Sequence, residues 1–400
     1  MSTIAIIAAL DTKSEEAAFL KRTINKEGFD TIVLDSGMLL PPGFMPDITR
    51  QELFAAAGIP DMEAMRQKGK SSLMKGMITG LRAKIFELYS EGRIDGLLSI
   101  GGAQGTAVST AAMQSLPIGF PKVMISTIAC GTAQFGDYVG TKDITMIPSI
   151  CDICGLNSIT IPIFSSGCGA VMGMAQAASY IKPASDKPVV ALTMAGITTP
   201  CVMETKRLLE EKGYETIVFH CNGVGAEIID ELAKAGKLDG VLDISPHEVG
   251  GMIYGGLMQS TPERFTNVYE SGIPVISVPG GLDIKLTAPD DSICGERASC
   301  QHTPFHTHVR TTYQEMFTVG EYTAEKLSSS AGNCAVIVPL RGFSQNNDKG
   351  KALYDPDADR GYIDGVRKYR SEKVDVYTFD MHINMPAFAA EIVKTFAAMR

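Results

Sequence analysis

Positive charge is in short supply in this sequence. Its 400 residues include 36 lysines and arginines against 45 aspartates and glutamates, a net charge of −9. No basic cluster stands out locally, so nothing gathers a polyanion or an acidic lipid surface. Nucleic acid and membrane are therefore not expected as partners. Both standard phosphate loops are also missing, since neither GxGxxG nor GxxxxGK[ST] occurs. The opening "MSTIAIIAALDTK" has no basic residue ahead of its apolar run, so the mature protein is expected to begin at this strand. A disulfide framework is not indicated either: nine cysteines, an odd number without a leader, read as thiols of a reducing cytoplasm. Cys151 and Cys154 form a CxxC, but no second pair completes a zinc site, and structural thiols are expected. Charge is absent altogether from Ile153 to Ile181, a run long enough to cross a bilayer. Asn157, Pro162, Ser165, Ser166, Gly167, Gly169 and Gln176 interrupt it, which favours a buried strand and helix.

What is present is an internal repeat. "TIAIIAALDTKSEEAAFLKRTINKEGFDTIVLDSG" from Thr3 and "PVVALTMAGITTPCVMETKRLLEEKGYETIVFHCNG" from Pro188 each read as strand, turn, amphipathic helix, glycine and strand. Further on, "EGRIDGLLSIGG" from Glu91 matches "AGKLDGVLDISP" from Ala235, and "GFPKVMIST" from Gly119 matches "GIPVISVPG" from Gly272. The fold expected is α/β: two related Rossmann-like subdomains with parallel sheets and a ligand cleft between them, residues 1–183 and 184–400. Ligands in such sheets bind at the carboxyl ends of strands, so the loops there carry the candidates. Residues 37–72 are an insertion in the first copy, expected as a proline-rich loop followed by helices.

Four strand-end loops of the first copy suit a nucleotide. Asp11, Thr12 and Lys13 open a helix; Asp11 or Thr12 can cap it, or Lys13 can reach a phosphate while Asp11 meets a hydroxyl or a metal-bound water. Asp35 ends the second strand, where an acid commonly accepts ribose hydroxyls. Gly101, Gly102 and Gly105, with Thr106, form either a tight bend or a cradle in which bare backbone and free helix amides approach an anion. Three glycines and a threonine exceed what a bend requires. Ser126, Thr127 and Gly131 follow the fourth strand as hydrogen-bonding residues.

The second copy reads differently. All six histidines lie at or after position 220, His220 replaces Asp35, and Ser245-Pro246-His247-Glu248 replaces the glycine turn. Nucleotide features have given way to acid–base groups, with His247 and Glu248 among them. "GERASCQHTPFHTHVRTT" from Gly295 adds His302, His306, His308 and Arg310; on a strand, His306, His308 and Arg310 share one face. Arg297 and Arg310 suggest an anionic substrate. Zinc on His302 and His306 is disfavoured by Pro304 between them, and the metal is left unassigned. His382 lies in another strand-end loop, where Asp380 can orient a histidine. "YDPDADRG" from Tyr354 reads as a solvated turn.

Asp11-Thr12-Lys13, the glycine turn at 101–106, "DICGLN" at 152–157, "VFH" and "NGVG" within 218–225 and "DMHIN" at 380–384 together resemble the Tm-one-like ATP-binding domain family, which includes many uncharacterised bacterial members. The resemblance spans Thr3 to the C-terminus. It implies two Rossmann-like subdomains, ATP in the first, with or without Mg²⁺, and self-association into a homo-oligomer. The function expected is use of ATP on a small anionic substrate. Two alternatives stand beside it: a nucleotide-responsive protein-binding module without catalysis, and a histidine-site hydrolase or lyase independent of ATP turnover.

Overall fold

The structure is a computed structural model that describes residues 2–59, 61–130, 135–180 and 186–399. The chain divides into two compact units, residues 1–183 and 184–400. In the first, β1 (Thr3–Ala8), β2 (Asp30–Asp35), β3 (Gly96–Gly101), β4 (Lys122–Ser126) and β5 (Thr145–Pro148) form one parallel sheet in the order β2-β1-β3-β4-β5. β3 and β4 are buried along their whole length, as expected of strands covered on both faces. Helices Ser14–Lys26 and Thr160–Tyr180 cover one face, burying Leu20, Ile24, Phe164 and Val171 against it. Helices Lys70–Ser90 and Ala103–Met113 cover the other with Met77, Leu81 and Val108. The uncharged run thus contains a helix long and apolar enough to cross a membrane, Thr160–Ala178, that packs on this sheet.

The second unit repeats the plan. β6 (Val189–Met194), β7 (Glu215–His220), β8 (Gly240–Asp243) and β9 (Val275–Ser277) follow in sequence. An antiparallel sheet is then inserted, made of β10 (Ile284–Thr287), β11 (Ser299–Thr303) and β12 (His306–Arg310) in the order β10-β12-β11. β13 (Cys334–Pro339) and β14 (Val374–Phe379) complete the large parallel sheet, β14-β13-β9-β8-β6-β7. Read from β7, this is the first unit's order with one more strand. The helix after β6, Thr199–Glu211, buries Val202 and Leu209 on one face, whereas the helix after β8, His247–Tyr254, sends Val249 to the other. Successive crossovers on opposite faces make a switch point between β6 and β8, as between β1 and β3.

A buried ionic cluster fastens the second switch point. Arg264 donates to both oxygens of Asp243 at the end of β8 (2.8 and 2.9 Å) and to Glu248 (2.9 Å). The remaining Glu248 oxygen accepts from the Gly223 amide, and Thr193 at the end of β6 donates to Asp243. Three strand ends, those of β6, β7 and β8, are thereby tied to one guanidinium. Removing it would leave two carboxylates buried without a cation, so Arg264→Met should lower the unfolding free energy by about 3–5 kcal/mol. Urea titration of the variant against the parent chain measures this, and a loss under 1 kcal/mol would show the cluster to be dispensable.

Candidate functional site

The first cavity, about 320 Å³, lies at the carboxyl ends of β1 and β3 and is lined by Lys13, Ser36, Leu39, Gly102, Gln104 and Gly105 among others. Its size falls within the roughly 300–1,000 Å³ range of small-molecule sites. The three glycines divide in role. A Cβ at Gly101 would lie 2.9 Å from the Gly105 Cα, so Gly101 is required by the turn itself. At Gly102 and Gly105 nothing lies nearer than 3.7 Å, and the φ of Gly102 is −77°, open to any residue. The fold does not need glycine at these two cavity-lining positions, and bare backbone there would leave room for the close approach of a ligand. Beside them, the first three amides of helix Ala103–Met113 have no carbonyl ahead of them in the helix, and the nearby helix end favours an anion.

Lys13 lines the same cavity, with Nζ donating to the Ile153 carbonyl (2.6 Å). Gly155 donates to Glu16, so DTK and DICGLN, 140 residues apart, meet at one helix start. Asp11 does not cap that helix, nor does Thr12. Asp11 Oδ2 accepts from the amides of Met38, Leu39 and Leu40 (3.0, 2.8 and 3.3 Å) and pins the start of the insertion as a cavity wall. The expectation for Asp35 is corrected. Its Oδ1 accepts from Leu10 and Gly37, and its Oδ2 is paired with Arg50 (2.6 Å), leaving the buried carboxylate committed to protein partners rather than to ribose. Thr106 and Ser126 are likewise buried, sharing a hydrogen bond of 2.6 Å that fastens the helix to β4. Thr127 borders Gly102 without lining the cavity, and Gly131 lies outside the described residues.

The second cavity, about 110 Å³, occupies the equivalent position in the second unit. Its lining includes Ile197 after β6, His220 ending β7, His247 after β8, and His302, His306 and His308 from the β11–β12 hairpin. Five of the six histidines thus gather there. His247 Nδ1 donates to the Gly281 carbonyl (2.9 Å), and His308 Nδ1 accepts from the Asn346 amide (3.0 Å). The His302 and His308 rings stack with centroids 4.3 Å apart, and His306 Nδ1 meets the Thr303 hydroxyl. Cys221, also in the lining, donates its thiol proton to the Met194 carbonyl, and burial pushes its pKa up. Among the described residues, no three His, Cys, Asp or Glu side chains are placed to hold a metal ion.

Four expectations for this half are corrected. Arg310 shares the strand with His306 and His308 but is buried away from the cavity, paired with Asp359 (2.6 Å) and with the Asp283 and Asp355 carbonyls. Arg297 pairs with Glu315, so neither arginine is left for an anion. Glu248 has its two oxygens engaged by Arg264 and the Gly223 amide and does not line the cavity. His382 accepts from the Asn384 amide and donates to the Ser344 carbonyl, while Asp380 pairs with Arg341 instead of orienting it. The expected solvated turn at Tyr354–Gly361 is mostly the start of helix Pro356–Tyr369, capped by Asp355. Burial pushes Asp359 within it up to about 6.

Sequence reasoning missed Asn346, Arg50 and Arg264. Arg50 and Arg264 had a forewarning, because Asp35 and Asp243 each close an apolar strand, where a buried acid demands a cation.

Burial, aided by His302, His247 and His306, pushes His308 from its ordinary 6.5 down to about 4. Between those values the unfolded chain binds the proton more tightly than the folded one, so this group removes stability as pH falls from 6.5 to 4. His308→Gln should therefore lose less melting temperature than the parent chain over that interval. Parallel pH-melting curves would count against this assignment.

The chain matches the family model described as the uncharacterised protein family (UPF0261) N-terminal domain over residues 2–180, and the corresponding C-terminal domain over residues 187–400. It is 34% identical over 396 residues to a UPF0261 protein of Clostridium tetani, covering 98% of this chain and 97% of that one. With the ToMV resistance protein Tm-1 of Solanum lycopersicum it shares 33% identity over 337 residues, 81% of this chain but 44% of the plant protein. Among solved structures, MurG of Acinetobacter baumannii aligns over the whole of both chains at 12% identity with a TM-score of 0.23, too low to add to the sheet order described above. Two domain matches spanning nearly the whole chain, together with full-length bacterial relatives, make this protein a member of the uncharacterised UPF0261 family.

Proposed function

We propose that the first unit binds ATP by its phosphates and that the second holds a small substrate on which the nucleotide is used. The observation that carries the nucleotide reading is the pair of glycines at 102 and 105, which the fold does not require and which line one cavity with Lys13 and the free amides of helix Ala103–Met113. A phosphate chain is the chemical group suited to amides, bare backbone and one ammonium. The donors present fit such a chain, and the wall of Met38 and Leu39 offers an apolar surface to a nucleoside. Asp11 has one oxygen pinned by the insertion, so a role with Mg²⁺ rests on the other.

For the second unit, the anionic character expected of the substrate has lost its two arginines, leaving recognition to imidazoles. A cytoplasmic location is supported by nine free thiols. Homo-oligomer formation rests on the family resemblance.

Isothermal titration with ATP, with and without Mg²⁺, tests the reading. One saturable site per chain is expected. Gly102→Leu should abolish the heat while leaving the melting temperature within about 3 °C, since a Cβ there meets no close neighbour. Heat unchanged in that variant would sink the cradle. Saturable binding with no phosphate release in the presence of small acids would favour the nucleotide-responsive binding module.

A further inference from the structure

We infer that the histidine cavity of the second unit is a proton-transfer site for a small carbonyl compound: His247 Nε2 removes a proton from the carbon beside the carbonyl, and His308 Nε2–H donates a hydrogen bond to the carbonyl oxygen. The inference rests on the opposite tautomers that the surroundings impose on two rings of one cavity. A backbone carbonyl only accepts, so the 2.9 Å contact with Gly281 fixes the proton of His247 on Nδ1 and leaves Nε2 a lone pair. An amide NH₂ only donates, so the 3.0 Å contact from Asn346 makes Nδ1 of His308 the acceptor and puts that ring's proton on Nε2. The cavity therefore offers one base and one neutral donor.

Both rings are kept uncharged. Burial pushes the pKa of His247 down, and its place in the first turn of helix His247–Tyr254 further disfavours an imidazolium. His308 is held down by burial and by its three neighbouring imidazoles. A neutral imidazole beside a base is a known device for polarising a carbonyl during proton abstraction.

The other lining residues narrow the chemistry. Ala195, Ile197, Met258 and Leu286 make apolar walls, and among the described residues no lysine, arginine, serine or threonine lines the cavity. Phosphoryl groups therefore find no cation, and covalent catalysis finds no thiolate, because the Cys221 thiol is kept protonated. At about 110 Å³ the cavity is about a third the size of the first one, which suits a small molecule such as a three- or four-carbon carbonyl compound. In the step, the C–H pair becomes the C=C bond of an enolate, the carbonyl π pair moves to oxygen, and the proton resides on His247 Nε2. Reversal returns it to carbon, so the reaction balances without a co-reactant.

The test is deuterium wash-in. The full chain, without nucleotide, is incubated in D₂O with hydroxyacetone or with pyruvate, and loss of the proton signal beside the carbonyl is followed by NMR. Exchange at least tenfold above buffer is expected for one of the two. His247→Gln and His308→Gln should each reduce it at least tenfold. Asn346→Asp keeps both histidines but reverses the tautomer of His308, because a carboxylate accepts from Nδ1; it should lower exchange at pH 7.5 in a chain whose melting temperature is retained. That last variant keeps the inference testable if either glutamine variant fails to fold. Absence of exchange with both probes, or exchange unaffected by Asn346→Asp, overturns it. Because nucleotide is absent, the outcome is independent of the ATP titration.

Discussion

A strand whose neighbouring crossovers leave on opposite faces of the sheet cannot have its following loops close over one another. The gap this opens at the carboxyl end is the constraint on which both units are built. β1 and β3 flank it in the first unit, β6 and β8 in the second, and each gap holds a cavity. Chain topology makes the hollow before any side chain is chosen. The two copies are therefore free to furnish it differently, with glycines and amides in one and imidazoles in the other.

Charge is furnished just as selectively. Taking an ion out of water is tolerated only when a partner repays the lost hydration, and the buried ions near the two gaps are repaid by one another. Asp35 is held by Arg50, Asp243 and Glu248 by Arg264, and Asp359 by Arg310. These pairs fix where loops leave the strands, and in doing so they withdraw their charge from chemistry. What remains at the first cavity is a lysine, a half-engaged aspartate and backbone dipoles; at the second it is a set of imidazoles, two of them held neutral by burial.

The sheets were legible in the sequence because their signals are local. Short apolar runs, all but the first with a glycine or proline at or just before their start and repeated in two copies, recur as β1 to β4 and β6 to β9. The glycine turn, Lys13 and the clustering of histidines were legible for the same reason. How a charged side chain is spent was not, because its partner is set by tertiary contact. Arg310 finds Asp359 49 residues later, and Asp35 finds Arg50 across the start of an insertion. The strand pattern correctly put His306, His308 and Arg310 in alternation, yet the guanidinium is long enough to end among the carbonyls of Asp283 and Asp355. Asn346 carried no local signal, since its part comes only from the fold of the loop after β13.

Three of the five imidazoles ride on the β11–β12 hairpin, which pairs with β10 and not with the large parallel sheet. The duplicated core can be inherited without it, because none of the six parallel strands takes a sheet partner from it. The segment between the fourth and fifth strands of this copy thus supplies most of the imidazoles of the second cavity. The furnishing of the hollow can therefore change at this one place without any change to the sheet beneath it.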